Sequence, residues 1–391
     1  MHILEIPSFF IPYGGEFCIE QSRALTMMGH EVRIMANVYL SVKRSRREFL
    51  CKQKGTRTMC IDGITVMRKE MRGVPEFTHL NIRRWVNGVC RMFDNYVKTY
   101  GKPDIIHAHC GKWAGYAAML IARKHDIPYV ITEHLSTGIL NNDFKNNKAT
   151  WQVGLIKEAY YNADMVIPVS EELVDDIAFF YGKGYKWTSI SNTIDTEFFL
   201  YKKRETLKNK PFRFCCLANF EPRKGYDVLL AAFGMYCGKH PDAELYIAGR
   251  YTDSSELAKM AGKYECSDKI KILGMLSKTK VRELLYKCNC LILPTRSEAQ
   301  GLVLLEAMST GIPVITTDAV PKNAYVDGGS FICHVDDTPA FCQAMCRISE
   351  NYEAIDGKKL SEKVEKMASM KAVGEKLDKL FSHIVNERHS I

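Results

Sequence analysis

Short apolar runs that end in polar or turn-forming residues alternate with segments of helical period along most of the chain. Met1–Ile6, Glu31–Met35, Pro103–His109, Tyr129–His134 and Ala163–Ser170 read as strands, and so do Phe212–Ala218, Lys271–Leu276, Leu291–Leu293 and Val314–Thr317 further on. Glu20–Met28, Gly115–Lys124, Tyr226–Phe233, Val281–Lys287 and Leu302–Met308 read as the helices between them. Strands that are apolar on both faces, each followed by a helix, predict an α/β fold with parallel sheets. Leu200–Pro211 is lysine-rich and without apolar period, which predicts a linker between domains at 1–199 and 212–370. Ser361–Ile384 alternates charge with apolar positions and predicts a closing helix, with 371–391 as the final segment.

Composition changes this picture little. At 391 residues two domains are expected, and 46% apolar with 25% charged residues is ordinary for a globular protein. The chain opens on a strand, not a signal peptide, and contains no run of membrane-spanning length, so a cytoplasmic location is expected. The fourteen cysteines include no CxxC pair, which predicts free thiols and no zinc. Charge is more informative. Residues 43–98 hold fourteen basic and five acidic side chains, an excess equal to the +9 of the whole chain. Within it Trp85, Val89 and Met92 fall at helical spacing beside Arg83, Arg84 and Arg91. Such a helix fits either the anionic inner face of a membrane or an ordinary core stripe under a solvated face. No recognition motif accompanies the charge, so a nucleic-acid partner is not expected.

Candidate chemistry clusters where strands meet loops. In Cys290–Asp318, a strand ended by Pro294 leads through Glu298 and Gly301 into a helix carrying Glu306. A helix N-terminus favours anions, and ligands of open α/β sheets gather at the carboxyl ends of strands. Glu306, between Leu305 and Ala307, is expected to be buried and to need donors. Lys224 stands before Gly225 at another strand-to-helix turn, a site suited to phosphate. In the first half, Gly14 and Gly15 permit close backbone approach by a ligand, and no GxGxxG spacing supports a dinucleotide dehydrogenase. His107 and His109 share one side of a strand end, and Thr132, Glu133 and His134 end the next strand.

Glu298, seven intervening residues, and then Glu306-Ala-Met-Ser-Thr-Gly-Ile-Pro-Val resembles the E-x7-E signature of family 4 glycosyltransferases. Gly14-Gly-Glu-Phe, His107-Ala-His109 and Asn192-Thr-Ile-Asp-Thr-Glu-Phe are similar to further segments of that family. The resemblance implies a GT-B fold: two Rossmann-like domains facing across a cleft, with the C-terminal helix returning to the first. It implies a retaining, metal-independent hexosyltransferase using a UDP- or GDP-sugar, with a glycan or lipid-linked acceptor. Glu298, His109 and Lys224 would be catalytic. Gly14, Gly15, Asn219, Arg223, Gly274, Met275, Gly301, Leu302 and Glu306 would hold the donor, with Glu133 and His134 on the acceptor side. Asn219 departs from the family, which usually has an Arg there; Arg223 or Arg250 would have to replace its charge. An epimerase, a phosphorylase or a donor-binding subunit without turnover are the alternatives on the same frame.

Overall fold

The computed structural model describes residues 1–42, 49–50, 55–145, 147–148, 150–204 and 210–389. It divides into two α/β units, Met1–Thr193 with Met370–Ile391, and Ile194–Ser369.

Unit 1 is built on strands β1 (His2–Pro7), β2 (Glu31–Leu40), β3 (Arg57–Ile61), β4 (Ile64–Arg72), β5 (Ile105–His109), β6 (Tyr129–Glu133) and β7 (Met165–Pro168). Their order in the sheet is β3-β4-β2-β1-β5-β6-β7, parallel throughout except for the β3–β4 hairpin. That hairpin has a sequence signal of its own, since Asp62 and Gly63 both take positive φ and Asp-Gly suits the two-residue turn. The helix expected at Glu20 starts earlier, at Glu16, directly on the left-handed Gly15. A Cβ on Gly15 would stand 2.3 Å from the Phe9 carbonyl oxygen, so only glycine lets the chain turn into the helix here.

The basic helix spans Thr78–Tyr100. Trp85, Val89 and Met92 are buried in the unit, and the Trp85 indole donates to the Asn37 carbonyl at 2.6 Å. The apolar stripe therefore serves the core, while Arg83, Arg84 and Arg91 remain exposed. Of the basic segment, residues 43–48 and 51–54 lie outside the described residues.

The closing helix is two helices. Gly357–Ala368 belongs to unit 2 and Met370–His389 to unit 1. Ser369 between them is extended and bridges Ile194, whose N–H donates to the Ala368 carbonyl at 2.7 Å. The second helix buries Val373, Leu377 and Phe381 with Ile3, Ile105, Val130 and Ile167 of the unit 1 sheet.

Unit 2 carries β8 (Arg213–Leu217), β9 (Glu244–Ala248), β10 (Ile270–Ile272), β11 (Cys290–Leu293), β12 (Val314–Thr317) and β13 (Ser330–Cys333). The all-parallel order is β10-β9-β8-β11-β12-β13. The period of two explains the adjacent cysteines: Cys216 joins the core on one face of β8 and Cys215 the core on the other. The described cysteines are free. Tyr201–Arg204, in the stretch expected to be a linker, are held against unit 2. Arg204 donates to the carbonyls of Tyr286 at 2.6 Å and Thr310 at 3.2 Å.

All four tryptophans lie in unit 1, so their fluorescence follows its unfolding. Trp85→Ala is expected to lower the stability of unit 1 by about 3–5 kcal/mol, measured by urea denaturation through the remaining three.

Candidate functional site

In unit 2 the loops after β8 and β11 are stitched into one ledge. Pro222–Lys224 form a single 3-10 turn closed by Gly225, whose φ is 66°. A Cβ on Gly225 would fall 1.9 Å from the Pro294 carbonyl oxygen, so a side chain there would force the two loops apart. Arg296 N–H donates to the Arg223 carbonyl at 2.7 Å, and the Thr295 hydroxyl donates to the same oxygen at 3.1 Å. The Arg296 guanidinium reaches Asp227 and Asp336, each at 2.7 Å.

This stitching brings Lys224 and Glu298 into a direct ion pair. Arg223 approaches the other Glu298 oxygen at 3.9 Å and binds Glu221 at 2.8 Å. Two cations and two carboxylates thus balance at the carboxyl edge of the sheet. Asn219 is used structurally: its side-chain oxygen accepts from Arg250 N–H at 3.3 Å, and its amide donates to Glu221 at 3.3 Å. Arg223 therefore stands beside Lys224 and Glu298, near where Asn219 supplies no charge.

Gly301, with φ 85°, opens the helix Leu302–Ser309. Glu306 is half-buried, not deeply buried as expected. A 3.6-residue period puts Leu302, Val303 and Glu306 on a partly open stripe, while Leu304, Leu305, Ala307 and Met308 face the core. Gly274 follows β10 with φ 68°, its carbonyl accepting from Gly249 N–H at 3.0 Å, and Met275 beyond it is 68% exposed.

In unit 1 the corresponding edge is closed. Glu5 on β1 is fully buried and pairs in register with His107 on β5. Its carboxylate takes His107 Nδ1 at 2.9 Å and His109 Nε2 at 2.6 Å. His107 Nε2 meets the Thr132 hydroxyl at 2.6 Å, and His109 Nδ1 meets His134 Nε2 at 3.2 Å. Phe17 stacks on His134 with ring centroids 3.7 Å apart and tilts over His109 at 5.6 Å. His109, expected to touch the sugar, thus lies beneath the edge with both ring nitrogens engaged.

Glu133 is also turned inward. One oxygen accepts from the N–H groups of His134 and Leu135 at 2.9 and 2.8 Å, and the other accepts from Gly111 N–H at 2.9 Å and from the Tyr160 hydroxyl. Burial raises its pKa against those donors. The loop it holds is strained, with Cys110 at φ 71° and Trp113 at φ 67°, and Ser8 accepts from Ala114 N–H at 3.2 Å within it. Glu5, Ser8 and Tyr160 were not singled out from the sequence, and Phe17 entered only as the end of the Gly14-Gly-Glu-Phe segment. Glu5 carried the one available signal, a carboxylate inside an otherwise apolar strand.

Burial would raise the Glu5 pKa, but His107 and His109 hold it down to about 2. Burial, with His107 nearby, lowers that of His109 to about 4, and burial lowers that of His134 as well. Glu5, His107 and His109 are the one described group placed closely enough to share a metal ion. The 2.6 Å contact of Glu5 with His109 is shorter than the roughly 3.3 Å between two ligands of one tetrahedral zinc. It has the length of a charge-assisted hydrogen bond.

Two family models cover the chain: "Glycosyltransferase Family 4" over residues 14–198 and "Glycosyl transferases group 1" over 198–367. The chain belongs to glycosyltransferase family 4. Among relatives of this family 4 chain, glycogen synthase of Mycobacterium tuberculosis is 28% identical over 56% of it and 52% of the relative. The chain thus spans about half the length of that curated relative. The alpha-monoglucosyldiacylglycerol synthase of Acholeplasma laidlawii is 22% identical over 86% of this chain and 84% of its own. The gpi3 subunit of the phosphatidylinositol N-acetylglucosaminyltransferase of Schizosaccharomyces pombe is 29% identical over 42% and 37%. By structure, sucrose-phosphate synthase of Thermosynechococcus elongatus superposes with a TM-score of 0.79 at 16% identity, covering 99% of this chain and 100% of its own. Anabaena HepE in complex with UDP-glucose gives 0.73 at 15%, covering 98% and 100%. The fold is GT-B, as the sequence resemblance implied.

The buried histidines make a pH prediction. An unfolded His109 takes up a proton near pH 6.5, whereas the folded one does so only near pH 4. Protons therefore favour the unfolded chain in this window, and stability falls as pH drops from 6.5 to 4. The stability contributed by ionised Glu5 is present above pH 4.5 and is lost as pH falls towards 2. Urea midpoints followed by tryptophan fluorescence at pH 7, 5.5 and 4 should decline in that order.

Proposed function

We propose that the chain transfers a hexosyl group from a UDP- or GDP-sugar to an acceptor hydroxyl with retention of anomeric configuration. The observation that carries this reading is the Lys224–Glu298–Arg223 cluster on the unit 2 ledge. In the transfer, the bond between the anomeric carbon and the diphosphate oxygen breaks, and a bond to the acceptor oxygen forms. The acceptor proton passes to the departing phosphate. Negative charge grows on the diphosphate, so catalysis requires positive groups aimed at it. Lys224 and Arg223 supply them, with the backbone N–H groups that follow Gly301. In the free protein both cations are neutralised by Glu298 and Glu221; an incoming diphosphate takes over these ion pairs and frees Glu298 for the sugar hydroxyls. Glu306, on the open stripe of its helix, accepts from the ribose hydroxyls. Gly274 and Met275 border the base.

The acceptor we propose is a lipid-linked or polysaccharide intermediate at an anionic membrane. Phe77 and Leu80 are exposed at the start of the basic helix next to Arg83 and Arg84, and His79 packs against the partly exposed Trp151 at 4.6 Å. Apolar tips among cations suit an anionic lipid surface. Two of the relatives carry names that refer to lipid products or substrates, diacylglycerol and phosphatidylinositol. Among the described residues no helix is long and apolar enough to cross a membrane, so contact would be peripheral.

Lys224→Ala removes one charged hydrogen bond to the diphosphate, worth roughly 1.5–3 kcal/mol, and is expected to lower kcat/KM by about ten- to hundredfold. Steady-state transfer assays with a UDP- or GDP-sugar check this, and unchanged kcat/KM would remove Lys224 from the phosphate site. Transfer is expected at full rate in excess EDTA, because the cations at the diphosphate are side chains; a strict metal requirement would contradict this mechanism. Donor binding by calorimetry without transfer to any lipid or glycan acceptor would identify a non-catalytic subunit instead.

A further inference from the structure

The buried row at the carboxyl edge of unit 1 has a direction. Glu5 is ionised and can only accept, so the nitrogens that face it, His107 Nδ1 and His109 Nε2, must both carry protons. A neutral His109 protonated at Nε2 has a bare Nδ1. That nitrogen meets His134 Nε2 at 3.2 Å and must therefore accept from it. His134 is thus protonated at Nε2 and bare at Nδ1, and Asn192 lies within hydrogen-bonding reach of its side chain. Gln21, from the helix that follows the Gly14–Gly15 turn, donates to Asn192 at 3.2 Å. On this side of Glu5, the His109 and His134 N–H groups both point towards the carboxylate.

We propose that Glu5 is a positioning residue of the unit 1 edge: acting through His109, it fixes the orientation and the protonated nitrogen of His134, at the strand end where the acceptor-side groups gather. The inference rests on the transferase reading for its function, but its geometry stands apart from that reading. Without a carboxylate at position 5, two buried N–H groups would face no partner, a cost that an imidazole escapes by moving its proton to the other nitrogen. Moving the His109 proton to Nδ1 would turn it on His134, which would have to move its own proton to Nδ1. A charge on β1 is thereby read out on β6, two strands away in the sheet.

The test is histidine nitrogen NMR on the full chain, with selective 15N labelling of its eleven histidines. In the wild type at neutral pH, His107 is expected to be protonated at Nδ1, and His109 and His134 at Nε2 alone. In Glu5→Met, a substitution of similar length without an acceptor, His109 and His134 are expected to move their protons to Nδ1. A wild-type His109 protonated at Nδ1 would overturn the proposal even if the variant failed to fold, and so would unchanged tautomers in a folded Glu5→Met. The functional half is read by kinetics. Loss of the oriented hydrogen bond should lower kcat by about tenfold while donor affinity, a property of unit 2, stays unchanged. An unchanged kcat in a variant whose tautomers have moved would overturn that half. If the wild type neither binds nor transfers a nucleotide sugar, the transferase reading fails, and the wild-type tautomers still decide the geometry.

Discussion

The contact of Gly225 with the Pro294 carbonyl is the constraint on which the unit 2 ledge depends. It lets two loops from neighbouring parallel strands run side by side, so that Lys224 and Glu298, 74 residues apart in the chain, form an ion pair. Parallel strands deliver all their carboxyl ends to one edge of a sheet, and the loops there must satisfy one another. In this unit they do so with backbone bonds to the Arg223 carbonyl and with the Arg296 guanidinium, leaving Arg223 and Glu298 partly buried beside a buried Lys224.

Unit 1 solves the same problem differently. Its edge takes two carboxylates, Glu5 and Glu133, wholly inside. A buried charge is tolerable only when donors surround it, and each carboxylate has them: two imidazoles for Glu5, three backbone N–H groups and a phenol for Glu133. The result is a rim under Phe17 with both carboxylates buried. One unit therefore keeps Arg223 and Glu298 partly open at its edge, and the other keeps its carboxylates and imidazoles buried beneath it.

How much could be read in advance follows from the range of the interactions involved. Strand and helix periods are local, so β1, β5, β8, β11 and most helices were legible, as was the ledge: Lys224, Gly225 and Glu298 announce themselves by their position at strand ends. The early start of the first helix at Glu16 was less visible because it depends on Gly15 turning against Phe9. The break at Ser369 was hidden because the helical period continues across it and only pairing with Ile194 interrupts the backbone. Glu306 was expected to be deeper than it is, since a dense apolar neighbourhood in sequence says nothing of which stripe the helix leaves open. Trp85, Val89 and Met92 formed an amphipathic pattern that suits lipid and core equally, and packing against β2 decided for the core.

By itself the sequence determined the α/β class and the family, because both depend on residues near one another in the chain. The tertiary structure alone decided that Glu5 would hold two histidines more than a hundred residues away, and that His109 would lie beneath the edge. It also decided that Asn219 would tie β8 to β9 while Arg223 stands by Glu298. These depend on strand register and on which loops meet. Both are settled by the packing of the whole sheet, and no local pattern of residues encodes them.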